Sequence, residues 1–429
     1  MATRAVAAGV LVAAALIAWV TITIPLAARL LQVAIGISVI YVALLALRAA
    51  KVLRAALGAQ PAPATDGRIV SVVVPARNEA AVIGATVRDV CAQVGVRFEV
   101  IVVDDGSVDG TGDAARAAAA PECAVRVVRR DPGSGPATKG AALAFAMPFA
   151  RGEVVAVVDA DGRVAPDFLA RALHAWQRDP TAAGLQVARR AANAGASWLT
   201  AAQDEEQVMD LTSQCGRWAL DGTAELRGNG MFVRRASLDR IGGWGTDALT
   251  EDLDLSTRLS AVGEHVTLAP EVTIGEDAVP DVPGLLRQRL RWAEGSLRRL
   301  IDHGPRVVAG SVGLKSKLDF LAFTTEFLLP PLFAATILAS LVTIPLPQPA
   351  DWTVPASLFA GYGVGAFLLA ISGLASVGVR GIPILGRAVR GALFLSHWLV
   401  VVPIALVRIA VLPGIGPFTQ TPRARPTAQ

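Results

Sequence analysis

The sequence predicts an α/β protein, a polar domain built on a twisted sheet and held between two groups of apolar membrane helices. Three observations predict it. Hydrophobic residues make up 53% of the 429 and the mean hydropathy is +0.49, yet the apolar residues gather towards the two ends. The middle alternates short β-rich apolar runs with helical segments, the pattern of a sheet with helices on both faces. Acidic clusters follow the strand runs, at the edge where ligands bind in such sheets.

Taken in order, residues 5–24, "AVAAGVLVAAALIAWVTITI", form a first span, since a bilayer core takes about 20 apolar residues. A second span at about 29–47 argues against a cleaved signal peptide. Arg48, Lys51 and Arg54 come directly after it. Basic residues stay on the cytoplasmic side, so the middle domain is expected in the cytosol of a multi-pass cell-membrane protein. The predicted organisation is 1–57 for two membrane helices, 58–67 ("GAQPAPATDG") for a linker and 68–283 for the α/β domain. An amphipathic interface region then covers 284–319, three further membrane helices 320–412, and a tail 413–429.

Within the domain, "RIVSVVV" (68–74), "FEVIVV" (98–103), "AVRVV" (124–128) and "EVVAVVD" (153–159) read as buried parallel strands, with helices over 79–93 and 137–150. The last spans are placed at 320–344, 355–378 and 391–412. The loop 345–354 lacks Lys and Arg, whereas 380–390 carries Arg380, Arg387 and Arg390, which alternates correctly. The tail, with Arg423 and Arg425, then falls outside, against the charge rule. Glu326 and His397 lie inside spans, where an ionisable group invites a functional reading; snorkelling or a helix–helix hydrogen bond explains each equally.

Charge and cysteine usage exclude other classes. The net charge is +4 and the cations form no aromatic-interleaved patch, so nucleic acid is not an expected partner. Cys91, Cys123 and Cys215 are far apart and form no CxxC, and the four histidines are scattered. Neither a zinc cluster nor a disulfide framework is expected, and a reducing compartment suits the domain.

Four stretches carry candidate chemistry. "VVDDGSVDGT" (102–111) sets three aspartates in a turn after a strand, which ordinary Asp/Gly/Ser turn chemistry also explains. "VVDADGR" (157–163) spaces Asp159 and Asp161 so that both reach a hard divalent cation, Mg²⁺ or Mn²⁺, shared with phosphates. "GSGPATKG" (133–140) is not a Walker A loop, because Thr138 stands where Gly must precede the Lys. "ALTEDLDLSTRLSAVG" (248–263) turns into a helix with Thr250 as its cap and Glu251 and Asp252 in the first turn. Stabilisation of acids by the helix dipole explains the pair structurally, and the functional reading is that one carboxylate serves as a general base on an acceptor hydroxyl.

A helix over 284–301 puts Leu286, Leu290, Ala293, Leu297, Leu300 and Ile301 on one stripe, suited to a membrane surface or a core. Gln288, Arg291 and Trp292 share the opposite side, with Gly295 leaving room for something to approach. Indole beside guanidinium suits a sugar stacked on Trp and a diphosphate held by Arg. A basic helix on anionic lipid is the competing reading.

In this order "VVDDGS", "VVDAD", "LTEDLD" and "QRLRW" resemble the D, DxD, TED, QxxRW series of family 2 membrane glycosyltransferases over residues 69–300. Cellulose, chitin-oligosaccharide and poly-N-acetylglucosamine synthases and bacterial glucosyldiacylglycerol synthases belong there. The resemblance implies a Rossmann-like GT-A fold. It also implies nucleotide-sugar contacts at Glu79, Asp105, Lys139, Asp159, Asp161, Gln288 and Arg291, with Asp159 and Asp161 holding the metal. Asp252 is the implied base, and Trp292, Glu251 and Asn229 the acceptor contacts. Ala144 departs from the Asn frequent in the family. The expected reaction is an inverting transfer from UDP-glucose, or else UDP-N-acetylglucosamine.

The acceptor is either a lipid such as diacylglycerol or a growing polysaccharide. "QDEE" (203–206) and "LRGNGMFVRR" (226–235) resemble the glucosyldiacylglycerol synthases and favour lipid. A transporter or sensor with a nucleotide-binding domain is disfavoured, because no paired internal repeat accompanies the spans.

Overall fold

The computed structural model describes residues 2–58, 67–346 and 352–412. Most of the predicted linker and the whole predicted tail, with Arg423 and Arg425, lie outside them. Five helical segments among the described residues are long and apolar enough to cross a membrane. They are α1 (Ala2–Thr23), α2 (Pro25–Leu57), and, after the domain, α11 (Leu314–Thr343), α12 (Thr353–Ser376) and the broken pair α13 (Pro383–Leu395) and α14 (Trp398–Val411).

Between them run β1 (Ile69–Ala76), α3 (Ile83–Cys91), β2 (Arg97–Asp105), α4 (Thr111–Ala118), β3 (Val125–Arg130), α5 (Lys139–Ala146), β4 (Val154–Val157) and α6 (Phe168–Trp176). There follow β5 (Gly184–Ala191), α7 (Trp198–Trp218), β6 (Met231–Arg234), α8 (Arg235–Arg240), α9 (Glu251–Ala261), β7 (Val266–Glu276) and α10 (Val282–Ala309). The described residues form one seven-stranded sheet in the order β3-β2-β1-β4-β6-β5-β7. The four strands read from the sequence are its parallel half, with Val73 of β1 facing Ile101 of β2 and Val157 of β4. Their runs of Val and Ile are apolar on both faces because helices cover both faces. One core holds Ile83, Val87, Phe168 and Trp176. The other holds Leu143, Leu255 and Leu259 and draws in Ala49 and Leu53 of α2, so the sheet rests on the end of a membrane-type helix.

The second half of the sheet was not legible. β6 is four residues long and runs antiparallel to β4 and β5, while β5 carries two arginines. The span expected at 391–412 begins earlier, and Arg387 and Arg390 sit inside α13 rather than in a loop. Both hold Glu205 of α7, which is fully buried, with Nε–O distances of 2.9 and 2.8 Å. A further correction concerns the cysteines. Cys91, at the end of α3, and Cys123, before β3, are disulfide-bonded with their Cα atoms 5.5 Å apart. Their separation of 32 positions hid that β2 and α4 fold the chain back on itself.

Candidate active site

Two loops at the carboxyl edge of the sheet are laced together. The Asn78 N–H donates to Ser107 Oγ (3.0 Å), the Val108 N–H to Asn78 Oδ1 (3.0 Å) and the Glu79 N–H to Thr111 Oγ1 (2.8 Å). Asn78 takes a φ of 54°, a left-handed conformation that Asn tolerates. This resolves the three aspartates. Asp104 accepts from the Ser107 N–H and pairs with Arg129 at 2.8 Å, and Asp109 accepts from Ala80 and Thr111. Both build the loop. Asp105 lies on Arg130 at 3.1 Å, and burial raises its carboxyl above the usual range against the pull of Arg130 and Arg77. Glu79 lies buried in the same loop pair.

Lys139 opens α5, whose cap is Thr138: its hydroxyl accepts from the Ala141 N–H at 3.1 Å. The Lys139 ammonium stands 2.6 Å from Asp159 Oδ1 and 3.2 Å from Glu251 Oε1. Burial alone would lower its pKa, but Asp159 and Glu251 outweigh burial and raise it well above the ordinary lysine value. Glu251 is itself raised, chiefly by burial, against the attraction of Lys139. Asp161 is buried and accepts from the Asp277 N–H beyond β7 at 3.1 Å.

Asp252 follows at the start of α9, half-buried beside Gly228. A Cβ built on Gly228 would lie 3.1 Å from Asp252 Oδ2 and 3.3 Å from Lys139 Nζ. Gly228 also has a φ of +79°, so both conformation and space call for glycine. Thr250 takes the cap position, but its side chain makes no capping hydrogen bond. It packs instead against Gly295 of α10, where a Cβ would lie 2.6 Å from its Oγ1. The room predicted at Gly295 is filled by Thr250, which clamps α10 to α9.

That clamp brings Arg291 to the acids. Burial lowers the pKa of its guanidinium, and Glu251, Asp252 and Asp159 pull the other way. Lys139, Asp159, Glu251, Asp252 and Arg291 are thus gathered by β4, α5, α9 and α10. Gln288 is half-buried and accepts from Arg289 at 2.7 Å. The face of α10 that is buried differs from the predicted stripe. Ala293 and Leu297 are buried in the core around α14, whereas Leu286 is 42% exposed and buried Arg289 takes an inward position. Arg289 stacks on Trp292 with its Cζ 4.2 Å from the ring centroid and pairs with Glu206. Trp398 also donates to Glu206, at 2.9 Å. Sequence reasoning missed this Arg289–Glu206–Trp398 group, although "QDEE" and "QRLRW" each contained part of it.

Asn229, implied as an acceptor contact, has its side chain engaged in the interior. It is 1% exposed, accepts from the Asp159 N–H at 3.0 Å and donates to Glu276 at 3.0 Å. Its amide ties the backbone at Asp159 to Glu276.

A parallel Rossmann-like half-sheet with two aspartates at its carboxyl edge, a lysine and arginine above them and an acidic helix start defines a GT-A glycosyltransferase. The sequence comparison gives the same class more closely. The chain belongs to glycosyltransferase-like family 2, whose family model matches residues 67–295. It is 33% identical to the beta-monoglucosyldiacylglycerol synthase of Synechocystis sp. over 80% of this chain and 72% of that one. It is 34% identical to the synthase of that name from Trichormus variabilis, over 80% and 74%. The fold is similar to that of the mannosyltransferase PcManGT from Pyrobaculum calidifontis in complex with GDP-Man and Mn²⁺. There the TM-score is 0.55 at 23% identity, over 89% of this chain and 99% of that one.

Proposed function

We propose that this glycosyltransferase moves glucose from UDP-glucose to the free hydroxyl of diacylglycerol at the cytoplasmic face of a cell membrane, with inversion to a β-linkage. The observation that carries the reading is the identity of about a third with beta-monoglucosyldiacylglycerol synthases, which runs through four-fifths of the chain. The five apolar helices and the seating of the sheet on α2 support a multi-pass enzyme whose acceptor arrives from lipid. The boundaries 1–57, 68–283, 284–319 and 320–412 remain our division of the chain.

The residues fit a divalent cation. Asp159 and Asp161 offer two hard carboxylates at the end of β4, and Asp159 already binds the ammonium of Lys139. Among the described residues no group of three or more His, Cys, Asp or Glu is arranged for a metal, so nucleotide phosphates would complete the coordination of Mg²⁺ or Mn²⁺. Such an ion would offset the negative charge of the diphosphate.

Asp252 takes the proton of the acceptor hydroxyl as its oxygen bonds to the sugar C1. The C1–O bond to the diphosphate breaks on the opposite face, and the electron pair leaves with the nucleoside diphosphate. Lys139, Gln288 and Arg291 stabilise that leaving group, and the low-dielectric setting of Arg291 strengthens its pull. Glu79 and Asp105 hold the nucleoside, while Trp292 and Glu251 border the acceptor.

Membranes containing the protein, Mg²⁺ and radiolabelled UDP-glucose test this, with Asp252→Asn membranes as control. Label in one solvent-extractable lipid, lost in the control, is the expected result. Label confined to high-mass glycan would overturn the lipid reading in favour of a processive synthase.

A further inference from the structure

We propose that Glu326 is an acceptor-specificity residue, selecting a neutral, hydroxyl-bearing lipid headgroup over the phosphate-bearing lipids that surround it. The inference rests on the lipid-acceptor reading above and assigns the selection to one side chain.

Glu326 lies in α11, one of the five apolar helices, where an ionisable residue is costly and marks function by default. Its direction is set by its neighbours on the same stripe. Asp319, seven residues earlier, binds Arg217 of α7 at 2.9 Å. Phe323, three residues earlier, lies under the same guanidinium, 4.1 Å from ring centroid to Cζ. A residue at these spacings shares their face, so Glu326 points towards the catalytic domain. It stands about 10 Å further along the helix than Asp319, at 1.5 Å per residue.

The charges that act on it are Arg217, Arg227, Asp210 and Glu225. Both guanidiniums are already engaged, Arg217 by Asp319, and Arg227 by Asp210 at 2.9 Å and Glu225 at 2.9 Å. Among the described residues Glu326 makes no hydrogen bond or ion pair, and it is exposed. Helix α7 packs along α2, α12 and α13, and α11 along α1, α12 and α14. The long Arg217 side chain of α7 reaches Asp319 of α11 and links the two helices. On the catalytic side the polar file continues through Arg227 to Gly228, against Asp252.

A headgroup coming from the bilayer to Asp252 passes a carboxylate whose neighbouring cations are neutralised. Such a side chain accepts a hydrogen bond from a hydroxyl, offers no cation to a phosphate, and repels a phosphate when it is ionised.

The test uses the full-length protein in mixed micelles with UDP-glucose, diacylglycerol as acceptor and phosphatidate as competitor. Glu326→Gln and Glu326→Ala should raise the acceptor KM about tenfold, the loss of one charged hydrogen bond. The donor KM and the slow hydrolysis of UDP-glucose by water should not change. Phosphatidate should inhibit both variants more than the wild type, and Glu326→Asp should restore discrimination. Unchanged acceptor KM and unchanged phosphatidate response would overturn the proposal. So would a fall in donor binding and hydrolysis alongside transfer, which would make Glu326 a packing residue. If Glu326→Ala fails to fold, the nearly isosteric Gln variant decides. If the wild type labels a different lipid, diacylglycerol is the wrong acceptor, and the same comparison on that lipid judges Glu326. Labelling of no lipid at all overturns both readings.

Discussion

Thr250 occupies the space that a side chain at residue 295 would need: an ideal Cβ on Gly295 lies 2.6 Å from both Cγ2 and Oγ1 of Thr250. Two motifs 45 positions apart in the chain thereby share one contact. The threonine before the acidic pair locks into the helix that carries Gln288, Arg291 and Trp292. The contact that joins the helix of Asp252 to the helix of Arg291 depends on the absence of a methyl group at residue 295.

Gly295→Ala should therefore push α10 away from α9. Overpacking of this kind costs about 1–3 kcal/mol, and a displacement of about 1 Å near reacting groups can cost about a hundredfold in rate. The expected outcome is a lower thermal midpoint and a large fall in kcat. The double variant Gly295→Ala with Thr250→Ser, which removes Cγ2, should recover part of both. Equal activity of Gly295→Ala and wild type in a transfer assay would show that the contact is not what spaces the site.

Asp252→Asn should keep the fold, because the only hydrogen bond to its side chain among those described comes from the adjacent Leu253 N–H, at 2.8 Å. Transfer should drop by about 10²–10⁴-fold, the usual contribution of a positioned base. Binding of UDP, measured by titration calorimetry, should be retained. Loss of UDP binding in step with transfer would assign Asp252 to the nucleotide instead.

How much of this was readable in the chain depends on whether one segment or two define a feature. β1 to β4 were legible because burial on both faces writes a continuous apolar run, and Asp159 and Asp161 because both sit on one short stretch. β5 and β6 were not: Arg189 and Arg190 break the apolar run of the first, and the second is four residues of antiparallel strand. Glycines misled in the same way. Gly295 looked like room for a ligand, and its occupant came from another motif. Asn229 was implied as an acceptor contact by the resemblance, and its amide bridges Asp159 and Glu276 in the interior. The Cys91–Cys123 bridge and the Arg289–Glu206 pair needed the fold to bring distant segments together.

Lys139→Met should separate the two roles of its ammonium. Without it, Asp159 and Glu251 lose their shared cation, and donor affinity should weaken by at least tenfold, in line with a lost charge-assisted hydrogen bond. Burial already raises Glu251, and Lys139 is what opposes it, so the variant should move Glu251 further up. Its protonated form then persists to higher pH, and the acid limb of the pH–rate profile should shift upward. A raised donor KM with an unmoved acid limb would mean that Glu251 does not report in catalysis.

Removal of divalent metal should act on the same pair of aspartates. Chelation is expected to abolish transfer, with Mg²⁺ or Mn²⁺ restoring it, while Asp161→Asn should raise the metal concentration needed for half-activity. Full transfer in excess chelator would leave the charge of the diphosphate to Lys139 and Arg291 alone.

Glu225 offers the clearest link between the site and the stability of the whole chain. It lies 3% exposed between the loop of Arg227 and Gly228 and the late turns of α10. Burial would raise its carboxyl, but Arg299, Arg227 and Arg217 outweigh burial and hold it at about 2, below the ordinary 4.5. A carboxyl depressed by folding binds fewer protons in the native state than in the unfolded one. Its stabilisation is thus complete above the unfolded value and fades as pH falls from about 4.5 towards 2. The shift corresponds to roughly 3 kcal/mol, to be taken as an order of magnitude. Glu225→Gln in detergent should show a lower thermal midpoint than wild type at pH 7, because three guanidiniums lose their common anion. The gap should narrow as the pH falls from 4.5 towards 2. A gap that stays constant across that interval would locate the destabilisation in packing and leave the charge of Glu225 without a part in it.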